Sequence, residues 1–276
     1  MRAAFAAFGL ALLLALPALP APAREATELS HEAIAPYMHL AALNLPAGIR
    51  PGAWLQLGPA DCTASFVVRD ASGALYITTA SHCTHALGER VKYTSNALIA
   101  AQAPPTEFGT VVARWPQGYD AALIKIDAAK YGDVSPRMIG WGGPTGLATS
   151  APAADTQVLH YGWGWWTWMD HTTRCRIGVM DSFDSQTWWY DGPVGNGDSG
   201  SAVMTEDGLA LGVLDWGSSS GLPLLLGPPA GPYVFLAGGG TRFDRALAAW
   251  EAVTGLDLEL VTGGPVNATC DPELPV

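Results

Sequence analysis

Three separated residues could carry out acyl transfer if the fold brought them together. They are a serine in a glycine-rich turn, a histidine at the end of an apolar strand, and an aspartate at the mouth of another strand. The serine is Ser199, in Gly195-Asn196-Gly197-Asp198-Ser199-Gly200-Ser201. Glycines around an Asp-Ser pair let a hydroxyl and backbone amides converge on one substrate atom. A serine hydroxyl is a weak nucleophile alone; it needs a histidine base within hydrogen-bond reach and a carboxylate that orients that base. His82 closes Tyr76-Ile77-Thr78-Thr79-Ala80-Ser81-His82, and Asp120 opens Asp120-Ala121-Ala122-Leu123-Ile124-Lys125-Ile126. The rivals are less well placed: His85 lies outside the strand-end motif, and Asp127 and Asp133 follow the apolar run that Asp120 begins.

The order His, Asp, Ser separates convergent solutions, because subtilisin-type chains run Asp, His, Ser and α/β-hydrolases run Ser, acid, His. A nucleophile elbow would also require glycine where Ser201 stands. The blocks Thr79-Ala80-Ser81-His82-Cys83, Asp120-Ala121-Ala122-Leu123-Ile124 and Gly197-Asp198-Ser199-Gly200 together resemble those of chymotrypsin-like (trypsin-fold) serine proteases of a secreted, microbial type. Trp216-Gly217 resembles the strand that lies beside bound substrate in that family.

The resemblance implies an all-β fold of two packed six-stranded antiparallel barrels with a C-terminal helix. The protease domain would cover residues 51–276, with the barrel boundary near 135–155. The implied activity is that of a secreted serine endopeptidase acting on protein or peptide substrates as a monomer without a cofactor or metal. Its catalytic residues would be His82, Asp120 and Ser199, its oxyanion hole the amides of Gly197 and Ser199, and its substrate contacts Pro193, Trp216 and Gly217. Asp198 is expected to be structural. An esterase using the same triad, and a secreted binding module on a protease-like scaffold, are the alternatives. The resemblance also implies a Cys62–Cys83 bridge beside the histidine, which leaves Cys175 to pair with Cys270.

Two departures from the family bear on the chemistry. Asp215 precedes Trp216-Gly217 where the family usually has a serine or another small polar residue, which puts a second carboxylate near Asp120. Pro193 stands six positions before Ser199, so no acid supports a preference for Arg or Lys, and Asp191 is out of register. An apolar or small residue before the scissile bond is the expectation that remains.

Composition agrees with export. Residues 1–23 hold one early Arg2, an apolar run and Ala21-Pro22-Ala23, the pattern of a signal peptide. Residues 24–50 read as an N-terminal arm or short pro-segment. A formal charge of −11 with no basic cluster argues against nucleic acid or an anionic membrane as partner. A metal site using Cys62, His82, Cys83 and His85 is the competing use of the cysteines, but exported cysteines are more often bridged.

The supporting elements are short. Ser65–Val68, Ala74–Thr79, Gly109–Ala113, Ala121–Ile126, Val158–Tyr161, Ala202–Met204 and Leu209–Leu214 read as strands, with a hairpin turn at Asp70–Gly73. One helix is predicted before Gly255, capped by Thr241, with Phe243, Leu247 and Trp250 on one face and resting on the second barrel. Trp163, Trp165, Trp166, Trp168, Trp188, Trp189 and Tyr190 are expected to cover the second barrel or to form a substrate-facing wall.

Overall fold

The β-branched runs of the first half form seven strands in the computed structural model, which describes residues 48–57, 60–94, 105–164, 174–218 and 234–271. The expected signal peptide, most of the N-terminal arm, Trp165, Trp166 and Trp168 lie outside the described residues. The strands are β1 (Trp54–Leu57), β2 (Ala60–Thr63), β3 (Val67–Asp70), β4 (Leu75–Thr79), β5 (Arg90–Thr94), β6 (Thr106–Arg114) and β7 (Ala122–Ile126). They pair in the order β3-β4-β7-β6-β5-β1-β2. Ala64 and Ser65 join β2 to β3, bonding to Ala53 on one side and Thr78 on the other at 2.8 and 2.7 Å, so the sheet closes into a six-stranded barrel. Phe66, Ile77, Phe108, Val111, Leu123 and Ile124 are fully buried in the core on its two faces. The Asp70–Gly73 turn forms as expected: Asp70 Oδ1 accepts from the Ser72 and Ala74 amides at 2.8 and 3.0 Å.

The crossing segment carries β8 (Gly140–Gly142) and β9 (Gly146–Leu147). The second barrel follows with β10 (Gln157–Tyr161), β11 (Cys175–Phe183), β12 (Thr187–Gly195), β13 (Ala202–Thr205), β14 (Leu209–Ser218) and β15 (Val234–Arg242). These run β13-β10-β11-β12-β15-β14, and a β13–β14 pairing closes the ring. Its interior is unusual. On β11 the alternation is inverted, with Arg176 and Met180 buried and Ile177 and Val179 exposed. Trp188 and Tyr190 of β12 point inward, and glycines make room for their neighbours. A Cβ at Gly238 would stand 2.5 Å from the Tyr190 ring, and one at Gly239 would stand 2.5 Å from the Trp189 ring.

The helix α1 (Phe243–Thr254) starts where the apolar stripe begins and ends at Gly255, whose φ of 72° supplies the left-handed cap. Two details correct the sequence expectation. Arg242, not Thr241, is the N-cap, because Thr241 still belongs to β15 and its hydroxyl is used on Asp215. The helix also rests on both barrels: the Phe243 ring meets Phe66 of the first at 4.8 Å, while α1 contacts β14 and β15 of the second. Burying Phe243 is worth about 2–3 kcal/mol. The chain then adds β16 (Leu258–Leu260) to β3 and β17 (Val266–Asp271) to β8, so the C-terminal stretch straps the two halves together.

Candidate active site

The end of β4 delivers His82 through a short 3-10 turn, Ser81–Cys83. Several contacts fix that turn. Ser81 Oγ donates to the Ala121 carbonyl at 2.7 Å and accepts from the Trp115 amide at 2.6 Å, tying the histidine turn to the mouth of β7. Arg114 of β6 donates to the Thr84 hydroxyl at 3.0 Å, to the His85 carbonyl at 2.5 Å and to the Thr84 carbonyl. Cys83 is bridged to Cys62 as expected. Those sulfurs lie close to the His82 ring, but as a disulfide they offer no thiolate to a metal.

Asp120 is buried and grips His82 twice. Its Oδ1 accepts the His82 backbone N–H at 2.8 Å, and its Oδ2 meets ring Nδ1 at 2.7 Å. A carboxylate at Nδ1 favours the tautomer with the proton there, which leaves Nε2 as an acceptor on the exposed side of the ring. The rivals are engaged elsewhere. His85 Nε2 lies 3.2 Å from the Leu57 carbonyl, Asp127 pairs with Arg90 at 2.6 Å, and Asp133 pairs with Lys130 at 3.5 Å.

The Ser199 turn comes from the other barrel and is fastened to the first. Thr63 donates its amide to the Ser199 carbonyl and its hydroxyl to the Gly197 carbonyl, both at 2.8 Å. Gly200 has φ of 87°, and any Cβ there would run into the Thr79 hydroxyl and the Thr63 carbonyl. That close approach sets Ser199 against the chain leading into His82. Among the described residues no hydrogen bond joins the Ser199 hydroxyl to the imidazole; such bonds are often long in free enzymes and tighten with substrate. Within the turn, the amides of Asp198, Gly200 and Ser201 donate to the carbonyls of Gly195, Leu214 and Asp198 at 3.0, 2.7 and 2.9 Å. Among the described residues no carbonyl takes the amides of Gly197 and Ser199.

Asp198 lies fully buried beneath the turn, accepting from the amides of Gly164 and Gly195 at 2.7 and 2.9 Å. Burial pushes its carboxyl up, while Arg176 and those two amides pull the other way. His160 sits in the same interior with Nε2 2.7 Å from the Tyr190 hydroxyl, and burial holds it neutral by lowering it to about 3. Trp163 is buried, its indole N–H donating to the Gly52 carbonyl at 2.8 Å and Arg174 lying 3.7 Å over the ring. With Trp188 and Tyr190 it belongs to the interior rather than to a substrate wall.

A cavity of about 190 Å³ opens beside Ser199, lined by Val194, Gly195, Asn196, Leu214, Asp215, Trp216 and Gly217. Trp216 and Gly217 stand where the sequence placed them, and Trp216 is 60% exposed. Pro193 lies one residue outside the lining and Val194 takes the place expected of it. Val194 and Leu214 were missed because nothing in their types marks them, and only the β12 and β14 pairings bring them to Ser199; Asn196 lies in the glycine-rich turn itself. Two six-stranded antiparallel barrels, strapped by a C-terminal helix, present a histidine–aspartate pair from one and a serine turn from the other.

The architecture is chymotrypsin-like. No protein-family model matches the chain, and no curated protein matches it. Solved structures similar to it include Thermobifida fusca Protease A, at 22% identity over 79% of this chain and 100% of that one with a TM-score of 0.48. Nocardiopsis protease shares 18% identity over 77% and 98% of the two chains, TM-score 0.48. Cellulomonas bogoriensis chymotrypsin shares 17% over 77% and 100%, TM-score 0.46.

Proposed function

We propose that this chain is an exported serine endopeptidase that cleaves peptide bonds through an acyl-enzyme. The observation that carries the reading is the double grip of Asp120 on His82 beside a serine turn with two unclaimed amides. Ser199 Oγ attacks the substrate carbonyl while His82 Nε2 takes the hydroxyl proton. Asp120 holds the ring in register and stabilises the imidazolium that forms. The amides of Gly197 and Ser199 receive the oxyanion, His82 returns the proton to the leaving amine, and the same steps with water release the acyl group. The two disulfides support an oxidising, extracellular or periplasmic setting. The bonds already made by Asp198 support a site that needs no freed amino terminus to form.

The cavity beside Ser199 supports a small or apolar residue before the scissile bond, because Val194, Leu214 and the Trp216 ring surround it. Labelling the intact protein with an active-site-directed fluorophosphonate, then mapping the adduct, tests the reading. Modification at Ser199 that is abolished in Ser199→Ala and His82→Ala is the expected result; no labelling, or labelling elsewhere, overturns it. Turnover of peptides against simple esters separates a protease from an esterase.

A further inference from the structure

Asp215 is part of the cavity wall through its backbone, yet its side chain turns into the protein. Oδ2 accepts the amide and the hydroxyl of Thr241 at 3.1 and 2.9 Å. Oδ1 is buried and has no hydrogen-bond partner among the described residues. The chain closes over it: a Cβ at Gly240 would stand 2.9 Å from that oxygen. The charge that acts on Asp215 is Asp120, of the same sign, itself bound to His82. From the other packed elements, Arg242 of β15 and Asp244 of α1 bind each other at 2.6 Å, and Arg242 also bonds to the carbonyls of Asp184 and Thr149. Asp198 is held by the amides of Gly164 and Gly195. Among the described residues, then, no cation pairs with Asp215.

A carboxylate in this place would be an anion with one oxygen bare, next to a second anion. The neutral acid removes both penalties, since its proton occupies the bare oxygen and leaves Asp120 alone with the negative charge. Burial first, and Asp120 second, push the Asp215 carboxyl up to about 8 against the two Thr241 bonds and the residue's own amide.

We propose that Asp215 is a proton-bearing positioning residue of the triad, and that losing its proton disables the site on the alkaline side. This rests on reading Ser199, His82 and Asp120 as that triad. One proton passes from Asp215 to solvent, and the resulting anion must either repel Asp120 or move out of its place under Gly240. Movement reaches the nucleophile directly, because the Leu214 carbonyl on the same strand holds the Gly200 amide at 2.7 Å and Trp216 and Gly217 wall the cavity.

Carbon-13 carboxyl spectroscopy on aspartate-labelled intact protein, with the resonance assigned by its absence in Asp215→Asn, reads this without any assay of activity. The expected midpoint is near pH 8, falling toward the ordinary carboxylate range in Asp120→Asn. A wild-type midpoint in the ordinary range, or one that Asp120→Asn leaves unmoved, overturns the proposal. Between about pH 4 and 8 the native state holds a proton that the unfolded chain has lost, so raising pH favours unfolding. Wild-type stability therefore declines through that window and Asp215→Asn lacks the decline.

In kcat/KM profiles, wild type should fall about tenfold per pH unit above the midpoint. Asp215→Asn or Asp215→Ser, each scaled to its own maximum, should stay level there. Parallel alkaline limbs in all three overturn the proposal. If nothing is hydrolysed at any pH, the endopeptidase reading fails while the titration still reports on Asp215.

Discussion

The two barrels share a strand plan but are held together differently. The first is filled mainly with aliphatic and aromatic side chains, buries Asp70 and Asp120 beside them, and builds the His82–Asp120 pair from its own strands. The second buries His160, Arg174, Arg176 and Asp198 in its interior, packs two large rings against glycines, and contributes the Ser199 turn. Apolar packing tolerates changes of pH and salt, whereas buried ionisable groups tie conformation to protonation state. The His82–Asp120 pair is thus set among mainly apolar packing, and the Ser199 turn and cavity rest on a half with more buried ionisable groups.

The largest test falls on the first barrel. Asp120→Asn keeps the shape of the carboxylate but favours the wrong tautomer of His82, and should lower kcat by about ten-thousandfold with the fold intact. Steady-state kinetics beside circular dichroism checks both halves of that statement; activity near wild type would show that the pair is not catalytic.

The disulfides compare the barrels in stability. Cys62–Cys83 spans 21 residues within the first barrel, and Cys175–Cys270 spans 95, tying the C-terminal strap to the second. On a loop-entropy argument, removing the shorter costs about 3 kcal/mol and the longer nearly 5 kcal/mol. Urea unfolding of the two double-alanine variants should rank them so, and a reversed order would show that the strap matters less than its loop length.

The smallest effect belongs to the exposed Arg69–Glu259 pair between β3 and β16, whose side chains are 49% and 62% exposed. Arg69→Ala should change stability by about 0.5 kcal/mol or less, and less again in high salt. A loss of several kcal/mol would mean that β16 is pinned by that pair rather than by the burial of Leu258.

Legibility was uneven in both barrels: β1, β2 and β5 of the first and β11, β12 and β15 of the second were not read from the sequence. Ala74–Thr79 and Ala121–Ile126 match β4 and β7 to within a residue. β11 and β12 were missed for physical reasons. In β11 the inward position carries Arg176 and the outward ones Ile177 and Val179, so alternation points the wrong way. In β15 the run Gly238-Gly239-Gly240 has no side chains to alternate, yet it is strand because the Tyr190 and Trp189 rings and the Val213 carbonyl fill the space beside it. Motif order singled out His82, Asp120 and Ser199 as candidates, and both disulfides formed as expected. The cavity lining was not, because Val194 and Leu214 meet Ser199 only through long-range pairing. Thr241 read as a cap because a hydroxyl before an apolar stripe suits that role; Asp215, distant in sequence, claims it instead.

Thr63 supplies two bonds to the Ser199 turn, while Gly200 is the void into which that edge of the first barrel fits. Anyone exchanging whole barrels between proteins of this architecture would find that the Ser199 turn does not travel with its own half. A donor barrel brings a serine turn shaped for one threonine, and an acceptor with a larger or non-donating residue there would receive the turn out of register. The transferable module is the seam, and its smallest portable version is Thr63 with Gly197 and Gly200.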